Sequence, residues 1–184
     1  MTSKRKDIIN ILKEKSPLAG QLADYEIIEL AYIMPLRSYD ENTVIVKEGE
    51  PATSMMFIIS GEVNIHHNKH LVAKLTPGNI FGEAMFSDQG IRMADVVAVE
   101  PTEVLVFDLT MYELLLQQNA KVALKCKFIF EQLYKQNVTA NESFFTIDHR
   151  KYLALVAHNE MKKTLVKFVQ SHVKKINKFR LVAT

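Results

Sequence analysis

Phe81-Gly82-Glu83-Ala84-Met85-Phe86, followed by Asp88-Gln89-Gly90-Ile91-Arg92-Met93-Ala94-Asp95-Val96, is the stretch on which the fold of this chain turns. Gly82 and Glu83 open a short helix whose first backbone N–H groups lack intrahelical partners. Helix starts of this kind attract phosphate oxygens. Nine residues after Glu83 stands Arg92, whose planar guanidinium can grip phosphate oxygens in two places. The Glu83 carboxylate cannot bind phosphate. It can accept a hydrogen bond from a ribose 2′-hydroxyl, or orient Arg92 or a neighbouring backbone group. Together these groups describe a site for a cyclic phosphate joined to a ribose.

The sequence around this stretch reads as short strands. Val44–Val46, Met55–Ile59, Val63–Ile65, Leu71–Ala73, Val96–Val99 and Val104–Phe107 are brief apolar runs, and Gly49, Gly61, Gly78, Gly82 and Gly90 punctuate them. Several short strands between glycine turns predict a small all-β barrel or roll. Helical spacing flanks it on both sides. Residues 4–14 and 21–34 carry apolar stripes, and Pro35 stops the second helix. From Thr110 to about Asn137 the spacing is helical again, with Thr110 read as its N-cap.

The order of these features resembles the cyclic-nucleotide-binding domain family. Phe81-Gly82-Glu83, the spacing to Arg92, and Ala94 look like its phosphate-binding cassette. Val44–Glu50 and Phe57–Val63 match its strand and glycine pattern. The resemblance implies an α+β fold, a jelly-roll-like β-roll flanked by helices. Gly82, Glu83, Ala84, Arg92, Met93 and Ala94 are then the ligand-binding residues. Asp95 stands where many relatives carry an uncharged residue. Members that prefer cGMP often have a threonine after the arginine; Met93 offers only a thioether, a weak acceptor, so cAMP is the expected ligand. The base is expected to meet the helix after the roll, with Asn137 and Thr139 in reach. In the family that helix commonly pairs with its copy, so a homodimer is expected.

The tail differs in kind. Tyr152–Ala157 is an unbroken apolar run, a helix is read over roughly Met161–Val173, and Phe179–Ala183 is a second strand. Strand, helix, strand at this spacing is a βαβ unit and implies parallel pairing. Arg150–Asn159, Lys162, His172 and Val182-Ala183-Thr184 resemble the start of methylglyoxal synthase. The resemblance implies a substrate-polarising role for His158 and phosphate contacts for Lys162 and Thr184. The family's phosphate loop and proton-abstracting carboxylate would fall beyond Thr184, and Asn159 replaces an aspartate. No turnover of dihydroxyacetone phosphate is therefore expected of these 184 residues. With only two strands to share cover, the unit is expected not to hold a parallel sheet by itself.

The expected organisation is a helical segment at 1–24, the nucleotide-binding domain at 25–138, a linker at 139–148 and the partial βαβ segment at 149–184. The first function is a regulatory binding module. The alternative is the regulatory front part of a nucleotide-controlled methylglyoxal synthase. A transcription regulator is disfavoured, because the tail reads βαβ and has no recognition helix with clustered arginines. A net charge of +2 is too small to argue for nucleic acid or an anionic membrane. No run approaches the ~20 apolar residues that span a bilayer. The single cysteine, Cys126, excludes an internal disulfide framework and fits a reducing, cytoplasmic location. His66, His67 and His70 are read as a solvated hairpin turn, and no metal is expected.

Overall fold

The computed structural model of the chain describes residues 3–87, 90–140, 152–155 and 180–183. Two compact units emerge, residues 1–145 and 146–184. The first opens with α1 (Ser3–Glu14) and α2 (Asp24–Ile33). Eight strands follow: β1 (Leu36–Tyr39), β2 (Val44–Val46), β3 (Ser54–Ser60), β4 (Val63–His67), β5 (His70–Leu75), β6 (Ile80–Phe81), β7 (Asp95–Ala98) and β8 (Thr102–Asp108). A 3₁₀ turn, Glu83–Phe86, separates β6 from β7. Helices α3 (Leu109–Gln118) and α4 (Ala120–Ala140) close the unit.

The strands form two antiparallel sheets, ordered β1-β8-β3-β6 and β2-β7-β4-β5. This is the expected roll. Side chains of a strand alternate between faces, and β3 uses both. Met56 and Ile58 join the core between the sheets, with Val46, Val63, Phe81, Val96 and Val104. Met55, Phe57 and Ile59 belong to a second core, which the helices share. That double burial explains why Met55–Ile59 is apolar without a break. β8 does the same, with Val104 in one core and Leu105 and Phe107 in the other.

Ile8, Ile9 and Leu12 of α1 are buried in the same helical core as Phe57, Phe107 and Phe130. The N-terminal segment therefore shares the core of the roll. α2 starts at Asp24, three residues after the expected start, and α4 runs through Thr139 to Ala140, into the stretch read as linker. The cap of α3 is Asp108, not Thr110: its carboxylate accepts the Met111 N–H at 2.8 Å. An aspartate at the last position of the strand serves as well as a threonine. Asn68 and Lys69, with φ of 50° and 68°, make the β4–β5 turn, two consecutive left-handed residues as a type I′ hairpin requires.

One ion pair ties the two ends of this unit together. Glu26 of α2 is 1% exposed. Its carboxylate accepts from Lys125 Nζ of α4 at 2.7 and 2.9 Å and from the Ala23 N–H at 2.8 Å. The Lys125 hydrogen bond is the main reason the Glu26 pKa lies below its ordinary value of 4.5; burial opposes it. Beside it, burial pushes the Cys126 thiol up to about 12, as expected of an inert core cysteine.

In the second unit, β9 (Tyr152–Leu155) and β10 (Arg180–Ala183) pair in parallel, Tyr152 opposite Arg180 and Leu155 opposite Ala183. The parallel pairing read from the spacing is present. The expectation that two strands would not hold it is at odds with this ladder: regular backbone hydrogen bonding has formed between the strands, each with a single neighbour among the described residues. The helix read over 161–173 lies outside the described residues.

Lys125→Met should destabilise the protein, because it strands a buried carboxylate. The loss should be on the order of 2 kcal/mol, below the ~3–5 of a fully buried pair, since Lys125 is about a third exposed. The pair's contribution is present above the unfolded glutamate pKa and is lost as pH falls through the lowered folded value. Urea melts should therefore show a smaller stability loss on acidification below pH 4.5 in the mutant. Identical acid-side curves would contradict this account of Glu26.

Candidate functional site

The expected cassette folds into one wall of a cleft of about 150 Å³. Gly82 stands in the left-handed region, with φ +87°. That turn brings the chain hard against its neighbours. A Cβ on residue 82 would lie 2.5 Å from Arg92 Nη1 and 2.8 Å from the Ser54 carbonyl oxygen. Glycine is thus required twice, for its φ and for the missing side chain. The 3₁₀ turn then carries Glu83 at its start, while Ala84 and Met85 are buried beneath it.

Arg92 is 7% exposed. Its backbone is clamped: its N–H donates to the Glu50 carbonyl at 2.8 Å, and its carbonyl accepts from the Gly49 N–H at 2.9 Å. Its side chain donates from Nη1 to the Gly82 carbonyl at 3.1 Å and from Nη2 to Ser54 Oγ at 3.0 Å. A guanidinium has five N–H donors, so these two bonds fix the fork and leave donors for a ligand. Burial pulls the Arg92 pKa down, and the nearby Glu83 and Glu50 carboxylates oppose that. The group stays cationic. A fixed, partly desolvated cation at the end of a cleft is a strong anion site.

The rest of the cleft is mostly apolar: Val46, Ile65, Val72, Leu75 and Val96 line it, with Ala94 and Met93 continuing from Arg92. From α4 come Tyr134, Asn137 and Val138. The structure thus brings Gly82, Glu83, Ala84, Arg92, Met93, Ala94 and Asn137 to one cleft. Thr139 is exposed and is not among the lining residues; it lies two positions past Asn137, about 200° round the helix. Asn137 donates from Nδ2 to Glu83 Oε1 at 2.7 Å. Asp95 lies away from the cleft, and its carboxylate accepts the Glu48 N–H at 2.7 Å. His158, Lys162 and Thr184 lie outside the described residues.

Two residues escaped the sequence reading. Ser54 opens β3 and gave no signal beyond a hydroxyl before an apolar run. His67 was placed in a solvated turn, but it is 8% exposed. Its Nδ1 lies 2.8 Å from the Met93 carbonyl and 3.1 Å from Glu48 Oε1. It therefore fastens the hairpin to the strand that follows Arg92.

Gly82→Ala should cost more stability than Gly20→Ala. Both residues have positive φ, a strain of about 1–2 kcal/mol for a side chain, but a Cβ at Gly20 meets nothing within 4 Å. Denaturant melts of the two variants read the cost of the close approach to Arg92 and the Ser54 backbone. Equal losses would mean that Gly82 is not packed against them.

Comparison with known proteins places this geometry. Residues 36–119 match the model of the cyclic nucleotide-binding domain. The cyclic AMP receptor protein of Thermus thermophilus is 34% identical over 96 residues, 49% of this chain and 44% of that protein. The cGMP-dependent protein kinase egl-4 of Caenorhabditis elegans is 26% identical over 113 residues, 61% of this chain and 14% of that protein. A cyclic nucleotide-binding domain from Methylobacillus flagellatus superposes with a TM-score of 0.60 at 26% identity, covering 78% of this chain and 82% of that one. The chain spans less than half the length of the two curated relatives.

Proposed function

From the premise that residues 36–119 are a cyclic nucleotide-binding domain, we propose that the chain is a regulatory module whose ligand is cAMP. One observation carries the reading: the Arg92 guanidinium is buried and held by Gly82 and Ser54, facing a cleft that also presents Glu83. In this reading Arg92 and the Gly82-Glu83 turn take the cyclic phosphate. Glu83 accepts the ribose 2′-hydroxyl. The purine lies between the apolar wall of β4–β5 and the Tyr134–Val138 stretch of α4. The preference for cAMP rests on the lining. Met93 follows the arginine, and no serine or threonine is among the described residues that line the cleft. Guanine would find no such hydroxyl to meet its amino group.

Phosphate capture and helix contact in one cleft suit a switch, in which nucleotide binding repositions α4. That helix also exposes Leu124 and Phe128, one turn apart and 57% and 61% exposed. Apolar residues on adjacent turns support pairing of α4 with its copy in a homodimer.

Calorimetric titration is expected to give tighter binding for cAMP than for cGMP. Arg92→Ala should cost on the order of 2–5 kcal/mol, roughly 30-fold or more in affinity. Arg92→Lys should recover little, since an ammonium lacks the fork. Sedimentation of the same samples should read a dimer, and Phe128→Glu a monomer. Unchanged cAMP affinity in Arg92→Ala would sink the assignment, and a monomeric native protein would sink the pairing.

A second reading concerns the tail, and the parallel ladder of β9 and β10 favours it. In that reading residues 149–184 begin a methylglyoxal-synthase-like domain under control of the nucleotide. Amides of Tyr152–Leu155 and Arg180–Ala183 should then be protected from hydrogen exchange. Exchange there at unfolded-chain rates would remove this reading.

A further inference from the structure

We infer that Asn137 is a positioning residue for sugar recognition: it fixes the Glu83 carboxylate and thereby ties ribose occupancy to the C-terminal turns of α4. The inference rests on the cyclic-nucleotide reading of the cleft and deepens it. The sequence suggested Asn137 as a contact to the base. In the structure its Nδ2 donates to Glu83 Oε1 at 2.7 Å, a short hydrogen bond to an ionised acceptor.

The 3₁₀ turn meets α4 at two points. Phe86, its last residue, stacks on Phe130 at 5.9 Å between ring centres and an interplanar angle of 24°. Glu83, its first residue, holds Asn137. Phe130 and Asn137 are seven residues apart, two turns along one helix face, or roughly 10 Å. The turn is thus spanned by an apolar contact at one end and a polar one at the other. The apolar end rests on the buried Phe130 and is braced further by Tyr112 of α3, edge-on to the partly buried Phe86 at 5.2 Å. The polar end is the exposed one, with Asn137 at the surface. It is the end that can respond to a ligand.

A carboxylate offers about four acceptor positions on two oxygens. Asn137 takes one of them. It leaves the other oxygen for a ribose hydroxyl and restricts the carboxylate to one orientation. A free glutamate would spend rotamer entropy on binding the sugar. One already held by α4 does not, so the sugar contact and the helix contact reinforce each other. Without its 2′-hydroxyl a ligand has nothing to gain from this orientation. The base and the phosphate are served by other groups.

The test compares cAMP with 2′-deoxy-cAMP in native protein, Asn137→Ala and Asn137→Asp. Asn137 is exposed near the helix end, so both variants should fold, as thermal melts will check. The native protein should prefer cAMP about tenfold. Asn137→Ala should weaken cAMP several-fold and 2′-deoxy-cAMP less than twofold, so that the preference shrinks. Asn137→Asp, which sets like charges together, should shrink it further. An unchanged preference, or equal loss for both ligands, would overturn the inference while leaving nucleotide binding intact. Absence of cAMP binding by the native protein would instead sink the functional reading. The hydrogen bond is then judged in ligand-free protein: Glu83→Ala should speed amide exchange over Tyr134–Thr139 several-fold, and no change there would overturn it.

Discussion

A buried arginine must be held by acceptors, and Arg92 finds one on the nearby Gly82 turn and one on Ser54, distant in sequence. The Gly82 carbonyl and the Ser54 hydroxyl fix its fork, while Glu50 and Gly49 clamp its backbone. Much of the cleft follows from that requirement. Gly82 has to be glycine because the guanidinium occupies the space a side chain would take. The left-handed turn at Gly82 then sets Glu83 at the head of the 3₁₀ turn, facing the same cleft. Desolvation makes the cation costly, and an anionic ligand in the cleft offsets that cost. In the proposed function, bound nucleotide would therefore stabilise the site.

The helices share a core with the roll. β3 and β8 each bury one face against the opposing sheet and the other against the helical core. Any shift of the 3₁₀ turn is felt through Phe86 by Phe130 of α4. The other end of the unit is locked to the same helix by Glu26 and Lys125. α4 thus sits between the Glu26 ion pair near its start and the Glu83 hydrogen bond near its end. In the proposed switch, that arrangement favours bending or repositioning of its last turns over displacement of the whole helix.

Much of this was legible in the residues. The glycine spacing and short apolar runs gave the roll, because left-handed corners and two-sided burial leave marks on the local sequence. The cassette was legible for the same reason: Gly82, Glu83 and Arg92 belong to one local loop. What was not legible depended on approach between remote segments. Leu36–Tyr39 is an edge strand whose two polar residues, Arg37 and Ser38, stand side by side, so it gave no alternating strand signal. Ser54 is 38 residues from the arginine it holds. Asn137 gave no sign that its partner in the fold is Glu83, 2.7 Å away. His67 looked solvated until the hairpin folded against Met93. In each case the residue type was informative about chemistry but silent about its partner.

The central claim is that one cleft joins the Gly82–Glu83 turn, the strand after Arg92 and the end of α4 around a cyclic nucleotide. The most direct measurement is amide hydrogen exchange of the protein with and without saturating cAMP. The account predicts added protection in three separate segments, Phe81–Phe86, Arg92–Val96 and Tyr134–Val138, with the β8 core unchanged. Bound nucleotide that leaves Phe81–Phe86 and Arg92–Val96 unprotected would contradict it.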